Sequence, residues 1–129
     1  MLPENLQQEY DSIIFDFNKI RDDWKKYNDE IIPEDKVFSK RIIKFVIAVL
    51  DYGIKNFSNV DVSKFQEFLV QFHYNFYYGP MGDDYNYLDF DEKVEGAYFI
   101  DLGYNNDLPL TKELLMKKKS AFEKLLEIF

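Results

Sequence analysis

Apolar side chains recur every three or four residues along the first part of this chain, and this spacing restricts the fold more than any other feature. The spacing is 4, 3, 4, 3, 4, 3 over Leu6, Tyr10, Ile13, Phe17, Ile20, Trp24 and Tyr27. This period puts all of them on one face of an α-helix, whereas a strand would divide them between two faces. A face of this kind has to be covered by another element. The sequence therefore predicts a long first helix with Trp24 in its buried seam.

The same spacing predicts a second helix and a third. The second is expected over residues 34–57, and apolar side chains occupy so much of its circumference that we expect it at the centre of the fold. The third is expected to begin after Asp61, a favourable N-cap residue. It is expected to end at Gly79 and Pro80, because glycine suits the position after a helix and proline cannot continue one.

A last helix is expected from Thr111, another N-cap candidate, to the C-terminus. Its run of lysines, residues 117–119, interrupts the apolar face and is predicted to reach into solvent. The chain is therefore predicted to be all-α: a single domain over residues 1–129, built as a helical bundle of about four main helices.

Residues 81–110, before the last helix, have no clear period and are predicted to form an irregular acidic insert. Two short strands, a short helix near residues 91–100 and an ordered loop all fit the sequence. A structureless loop of this length is unusual inside a compact domain, so we expect order at least over residues 95–102.

Composition and the N-terminal residues limit the class of protein. Of the 129 residues 47% are hydrophobic, far too many for a disordered chain. Cysteine is absent, so neither a disulfide nor a thiolate zinc site is expected. The first ten residues lack the basic and apolar regions of a secretory signal, and the longest apolar run, Phe45–Leu50, is too short to cross a bilayer. These features predict a cytoplasmic protein that has no membrane partner.

Nearly all of the net charge lies in residues 79–107, which are called the acidic stretch below. The stretch holds eight acids and one base, a net charge of −7, whereas the whole chain carries −8. Negative charge of this density repels phosphate backbones and anionic membranes, so nucleic acid is not an expected partner. The charge suits a surface that docks on a basic protein, and it equally serves to keep a protein soluble.

Tyrosines among these acids define the candidate site. Tyrosine supplies rigid contact area at a low cost in side-chain entropy, so carboxylates mixed with tyrosines favour a recognition surface. The predicted partner-binding residues are Asp83, Asp84, Tyr85, Tyr87, Asp89, Asp91, Glu92 and Tyr104. Tyr98 and Phe99, in contrast, are expected in the core.

No catalytic, metal or cofactor site is predicted. His73 is the only histidine, and alone it supplies neither a multi-histidine metal site nor a nucleophile–base pair, so a structural or interface role is expected. Residues 89–93 lack the third alternating ligand and the glycine of a calcium loop. The glycines form no phosphate-binding loop, and Gly96 and Gly103 are expected to serve positive backbone dihedrals or close packing.

Two segments resemble small bacterial immunity proteins, most closely those of contact-dependent growth inhibition systems. They are FHYNFYYGPMGDDYNYLDFDE, residues 72–92, and GAYFIDLGY, residues 96–104. The resemblance covers about a quarter of the chain, and because these proteins differ in fold it implies no architecture. It implies a cytoplasmic protein that binds and blocks the toxin domain delivered by a neighbouring cell. Such toxins are often basic nucleases.

Three functions are therefore open. The leading one is a non-enzymatic immunity protein whose carboxylates occupy the active or substrate-binding face of a basic toxin domain. The second is a nucleic-acid mimic that inhibits another basic protein, such as a phage anti-defence protein. The third is a carboxylate-based hydrolase, which requires two acids held about 5–10 Å apart around the substrate.

Overall fold

The protein is an all-α bundle. The computed structural model describes residues 2–26, 34–78, 93–104 and 109–129. Its helices are α1 (Glu4–Lys26), α2 (Glu34–Lys55), α3 (Val62–His73), a π-helical turn (Tyr74–Tyr78), a short α4 (Asp101–Tyr104) and α5 (Lys112–Ile128). The predicted fold class is thus confirmed, and four of the helices lie where the apolar spacing predicted them. None of these described helices combines the length and the apolar character that a membrane span requires.

Two helices begin at the N-caps expected from the sequence. The Asp61 carboxylate accepts a hydrogen bond of 3.2 Å from the Lys64 backbone N–H at the start of α3. The Thr111 hydroxyl accepts one of 3.1 Å from the Leu114 N–H at the start of α5. Both caps satisfy backbone donors that have no partner inside their helix, and each contributes about 1 kcal/mol.

The second helix lies at the centre of the core, as predicted. It packs against α1 and against α5. Its buried side chains are Phe38, Ile42, Ile43, Phe45, Val46, Val49 and Leu50. Among its apolar residues Val37, at 73%, and Ala48 are exposed, and Ile47, Tyr52 and Ile54 are partly buried.

Helices α1 and α2 run antiparallel, and aromatic contacts at two levels fix this arrangement. Phe17 stacks on Phe38 with ring centroids 6.3 Å apart, and Tyr10 stacks on Phe45 at 5.7 Å. The seam of α1 is therefore buried at Phe17, which is 6% exposed, and at Ile13, which is fully buried. The side chain of Trp24, the other residue predicted for this seam, lies outside the described part of the structure.

Phe72 of α3 lies among rings from several other elements of the fold. Its ring centroid is 6.0 Å from that of Phe45, 4.7 Å from that of Phe76 and 6.3 Å from that of Phe99. Edge and tilted contacts of this kind stabilise a core beyond the burial of the rings themselves. The cluster joins α2 and α3 to residues 93–104.

Gly53 allows α2 to approach α3 and α5 closely. A Cβ atom at this position would lie 2.6 Å from Phe65 Cζ and 3.3 Å from Leu115 Cδ1. Both neighbours are fully buried, so neither ring nor methyl group has free space to move into. The glycine is required by the contact between three helices, although its own φ angle is helical.

Gly53→Ala is expected to destabilise the protein. Alanine raises helix propensity by about 1 kcal/mol, but overpacking a tight core costs about 1–3 kcal/mol. In a Phe65→Leu background the cost of the same substitution should shrink by at least about 0.5 kcal/mol, because the clashing ring atoms are gone. Urea denaturation of the four proteins measures this coupling. An equal effect of Gly53→Ala in both backgrounds would contradict the close approach.

Candidate functional site

Most of the predicted partner-binding residues lie outside the described residues. This holds for Asp83, Asp84, Tyr85, Tyr87, Asp89, Asp91 and Glu92. Tyr104 is the last residue of α4, and its side chain also lies outside the described part of the structure. The described part of the acidic stretch is residues 93–104, and their contacts attach this part of the stretch to the bundle.

Residues 93–104 are ordered and packed, as expected for residues 95–102, but they form no strand. Gly96 has a φ of +92°, the positive dihedral expected for it, and the Ala97 N–H donates to the Val94 carbonyl across this turn at 3.2 Å. A bend at Phe99 and a turn at Ile100 lead into α4. The strand alternative over residues 94–102 is therefore wrong. Side chains of neighbouring helices bind this backbone in place of a strand ladder.

The apolar side chains of this segment enter the core. Ala97 and Phe99 are fully buried, and Leu102 is 5% exposed. The Phe99 ring stacks on Phe122 of α5, with centroids 5.3 Å apart and planes 20° from parallel. Phe99 was expected in the core, and Tyr98 is partly buried.

Lys118 of α5 binds the segment through a buried ammonium group. Its Nζ donates to the Tyr98 carbonyl at 2.7 Å and to both oxygens of the Asp101 carboxylate at 3.1 Å. The same nitrogen lies 4.9 Å from the Tyr98 ring centroid, a cation–π contact. Burial lowers the pKa of Lys118, and the nearby Asp101 carboxylate opposes this shift.

The prediction that residues 117–119 reach into solvent is wrong for Lys118, which is 3% exposed. The spacing of Leu115, Lys118, Phe122 and Leu125 carried the missed signal, because it places Lys118 within the apolar stripe of α5. Lys119 is partly buried and pairs with Asp51 of α2 at 3.1 Å. A side chain in the stripe has to be buried when the helix packs, so the ammonium requires internal acceptors.

Helix α3 holds the same segment through two polar side chains. The Phe99 N–H donates to His73 Nδ1 at 3.3 Å, and the Gln66 amide donates to the Leu102 carbonyl at 2.8 Å. His73 is 2% exposed, in agreement with the structural role expected for it. As an acceptor, its Nδ1 carries no proton in this arrangement. Gln66 was not identified from the sequence, where nothing distinguishes it from other polar residues of α3.

Close packing completes this attachment at Gly103. A Cβ atom there would lie 3.1 Å from Val70 Cγ1, so the glycine lets α4 approach α3, as expected. With the bonds to Gln66, His73 and Lys118, residues 93–104 form a docked segment held by two helices. This name is used below for residues 93–104.

The two described acids of the docked segment differ in their surroundings. Asp101 pairs with Lys118 although its side chain is 44% exposed, whereas Glu95 is exposed and forms no ion pair within the described residues. Lys93, the one base of the acidic stretch, has its Nζ 5.5 Å from the Phe129 ring centroid at the end of α5. The segment thus presents an unpaired negative charge at Glu95, while the charge of Asp101 is balanced by Lys118.

Within the described ranges, no group of three or more histidine, cysteine, aspartate or glutamate side chains is placed to hold a metal ion.

Comparisons with protein-family models, with curated proteins and with solved structures find no match to this chain.

Asp101→Asn is expected to destabilise the fold, because it leaves a buried ammonium without its counter-charge. Removing one partner of a fully buried pair costs about 3–5 kcal/mol, and the half-exposed position of Asp101 reduces this to about 1–3 kcal/mol. Glu95→Gln, which removes an exposed acid from the same segment, should change stability by less than about 0.5 kcal/mol. Urea denaturation of both variants compares them directly. Equal denaturation midpoints would show that Lys118 does not depend on Asp101.

Proposed function

We propose that this protein is a non-enzymatic, cytoplasmic immunity protein that binds and neutralises a basic toxin domain. The observation that carries the proposal is the acidic stretch, which concentrates a net charge of −7 in residues 79–107. The resemblance of residues 72–92 and 96–104 to immunity proteins of contact-dependent growth inhibition systems supports the same function. The toxin domain is proposed to be a nuclease, because nucleases hold phosphates with lysine and arginine.

The docked segment supports this proposal in one physical respect. Binding is tighter when a surface is ordered before the partner arrives, since less conformational entropy is lost on association. Residues 93–104 are attached to α3 and α5 by three side chain–backbone hydrogen bonds. Residues 93–104 of the acidic stretch are therefore attached to the core of the bundle.

The proposed mechanism is occlusion. Carboxylates of the acidic stretch would pair with the cationic side chains that bind substrate phosphates, and the tyrosines would supply the apolar contact area between them. Complementary charge steers the two proteins together and raises the association rate. Tyrosines that become buried at the centre of an interface mainly slow dissociation.

The alternative partner is a different basic protein that normally binds nucleic acid, which this chain would inhibit by mimicking phosphate charge. Both functions require the same acidic surface, so the neighbouring genes distinguish them. A large toxin gene directly upstream favours immunity, whereas a phage gene cluster favours mimicry. A pull-down with the product of the adjacent gene then identifies the partner.

Replacing Asp83, Asp84, Asp89 and Asp91 together with asparagine should lower the association rate with the toxin domain and reduce its dependence on salt, because steering charge is lost. A matched control replaces Glu4, Glu67, Glu123 and Glu127, all exposed on the helices, with glutamine. Both variants change the net charge equally, so a surface-specific effect appears only in the first. Binding kinetics at two salt concentrations measure the difference. Equal kinetics for the two folded variants would leave the acidic stretch as a solubilising surface.

Tyr85→Ala and Tyr87→Ala should mainly raise the dissociation rate, by about 2 kcal/mol or more for a residue that anchors the interface centre. The association rate should stay nearly constant, since neither change alters the charge. Dissociation traces at a fixed salt concentration measure this effect. Unchanged dissociation in both variants would remove these tyrosines from the interface.

The hydrolase alternative has its own test. No turnover is expected on nucleic acid, nucleotide, ester or peptide substrates, because the sequence has one histidine, no cysteine and no phosphate-binding loop, which leaves carboxylates as its only candidate catalysts. Reproducible hydrolysis that disappears in Asp84→Asn would contradict the proposal and assign catalysis to the carboxylates.

A further inference from the structure

An open groove runs along α1 and α2 on a part of the surface separate from the docked segment. It has a volume of about 440 Å³. Leu6 and Phe45 contribute its apolar floor, and Val37 and Ala48 continue the apolar lining along α2. Val37 and Ala48 are separated by eleven positions, so the groove follows α2 for about 16 Å, or three helical turns.

Two apolar side chains of this groove stay exposed to solvent and take no part in the hydrophobic core. Val37 is 73% exposed, and Ala48 is exposed as well, although both belong to a helix that is otherwise largely buried. Leu6 is partly buried, and Phe45 reaches the floor with 4% of its surface exposed. An apolar strip with charged residues beside it is a feature of surfaces that bind another chain.

The charge beside this strip is positive, in contrast to the chain as a whole. Lys40 and Lys44 line the groove, are exposed, and form no ion pair within the described ranges. The third cation, Arg41, is paired from α1: its Nε donates to Glu9, which also lines the groove, at 2.8 Å, and its Nη1 donates to Asp16. This cluster of one cation and two anions carries a net charge of −1, and the two lysines outweigh it. Two lysines are therefore left to act on a ligand in a chain whose net charge is −8.

We propose that this groove binds an acidic amphipathic helix of a partner protein. The lysines are four residues apart, so their side chains project from the same face of α2 about one turn apart. Glutamates at the same spacing on a helix lying along the groove would meet both of them, while its apolar face would cover Val37 and Ala48. The partner proposed for this groove is acidic, whereas the partner proposed for the acidic stretch is basic. Binding in the groove therefore does not depend on the proposed immunity function.

The test uses a fluorescein-labelled helical peptide of about 18 residues, long enough to form a helix on its own, with leucine on one face and glutamate on the other. A second peptide carries lysine in place of glutamate. Fluorescence anisotropy should show binding of the glutamate peptide, weakened at least about tenfold by Lys40→Glu combined with Lys44→Glu. The control variant combines Lys64→Glu with Lys124→Glu, at exposed sites outside the groove. It changes the net charge by the same amount and should leave binding of the glutamate peptide unchanged.

The apolar strip is tested with Val37→Ser, which should weaken the glutamate peptide, and with Met116→Ser as the control at an exposed apolar residue of α5. Each substituted residue is exposed, so the variants should fold. Failure of the glutamate peptide to bind, equal binding of the lysine peptide, or equal binding to both double-lysine variants would overturn the proposal. It would also be overturned if the protein alone formed a dimer that Lys40→Glu with Lys44→Glu abolished, since the occupant would then be a second copy.

Discussion

The fold depends on the need to bury the apolar faces of α2 against its neighbouring helices. Its apolar side chains extend around the helix, from Phe45 facing α1 and α3 to Gly53 facing α3 and α5. A helix of this composition is stable only when other helices remove its faces from water. The antiparallel packing of α1, the position of α5 and the aromatic cluster around Phe72 all satisfy this requirement.

Polar groups inside this core bind the docked segment, and their effect differs from that of the apolar contacts. Burial of Phe99 drives the segment inward without selecting a backbone conformation, whereas His73, Gln66 and Lys118 each bind one backbone atom. Buried donors and acceptors are costly when unpaired, so the bonds favour one arrangement over others of similar apolar burial. Lys118 therefore contributes both to the stability of the fold and to the conformation of the docked segment.

The two proposals assign partners of opposite charge to different parts of this chain. The acidic stretch continues from a segment held by α3 and α5, and the groove with Lys40 and Lys44 lies along α1 and α2. Arg41 is occupied by Glu9 and Asp16 of α1, so the groove's positive charge comes from Lys40 and Lys44.

The helices, their N-caps at Asp61 and Thr111, the central place of α2 and the acidic character of residues 79–107 were determined by the sequence alone, because each depends on local spacing or composition. The candidate residues from Asp83 to Glu92 remain a sequence prediction. Only the tertiary structure decided that Lys118 lies in the core and that residues 94–102 form turns and α4. It also decided that Val37, Lys40 and Lys44 share an open groove. These features depend on which faces meet across the bundle, and the period of one helix does not contain that information.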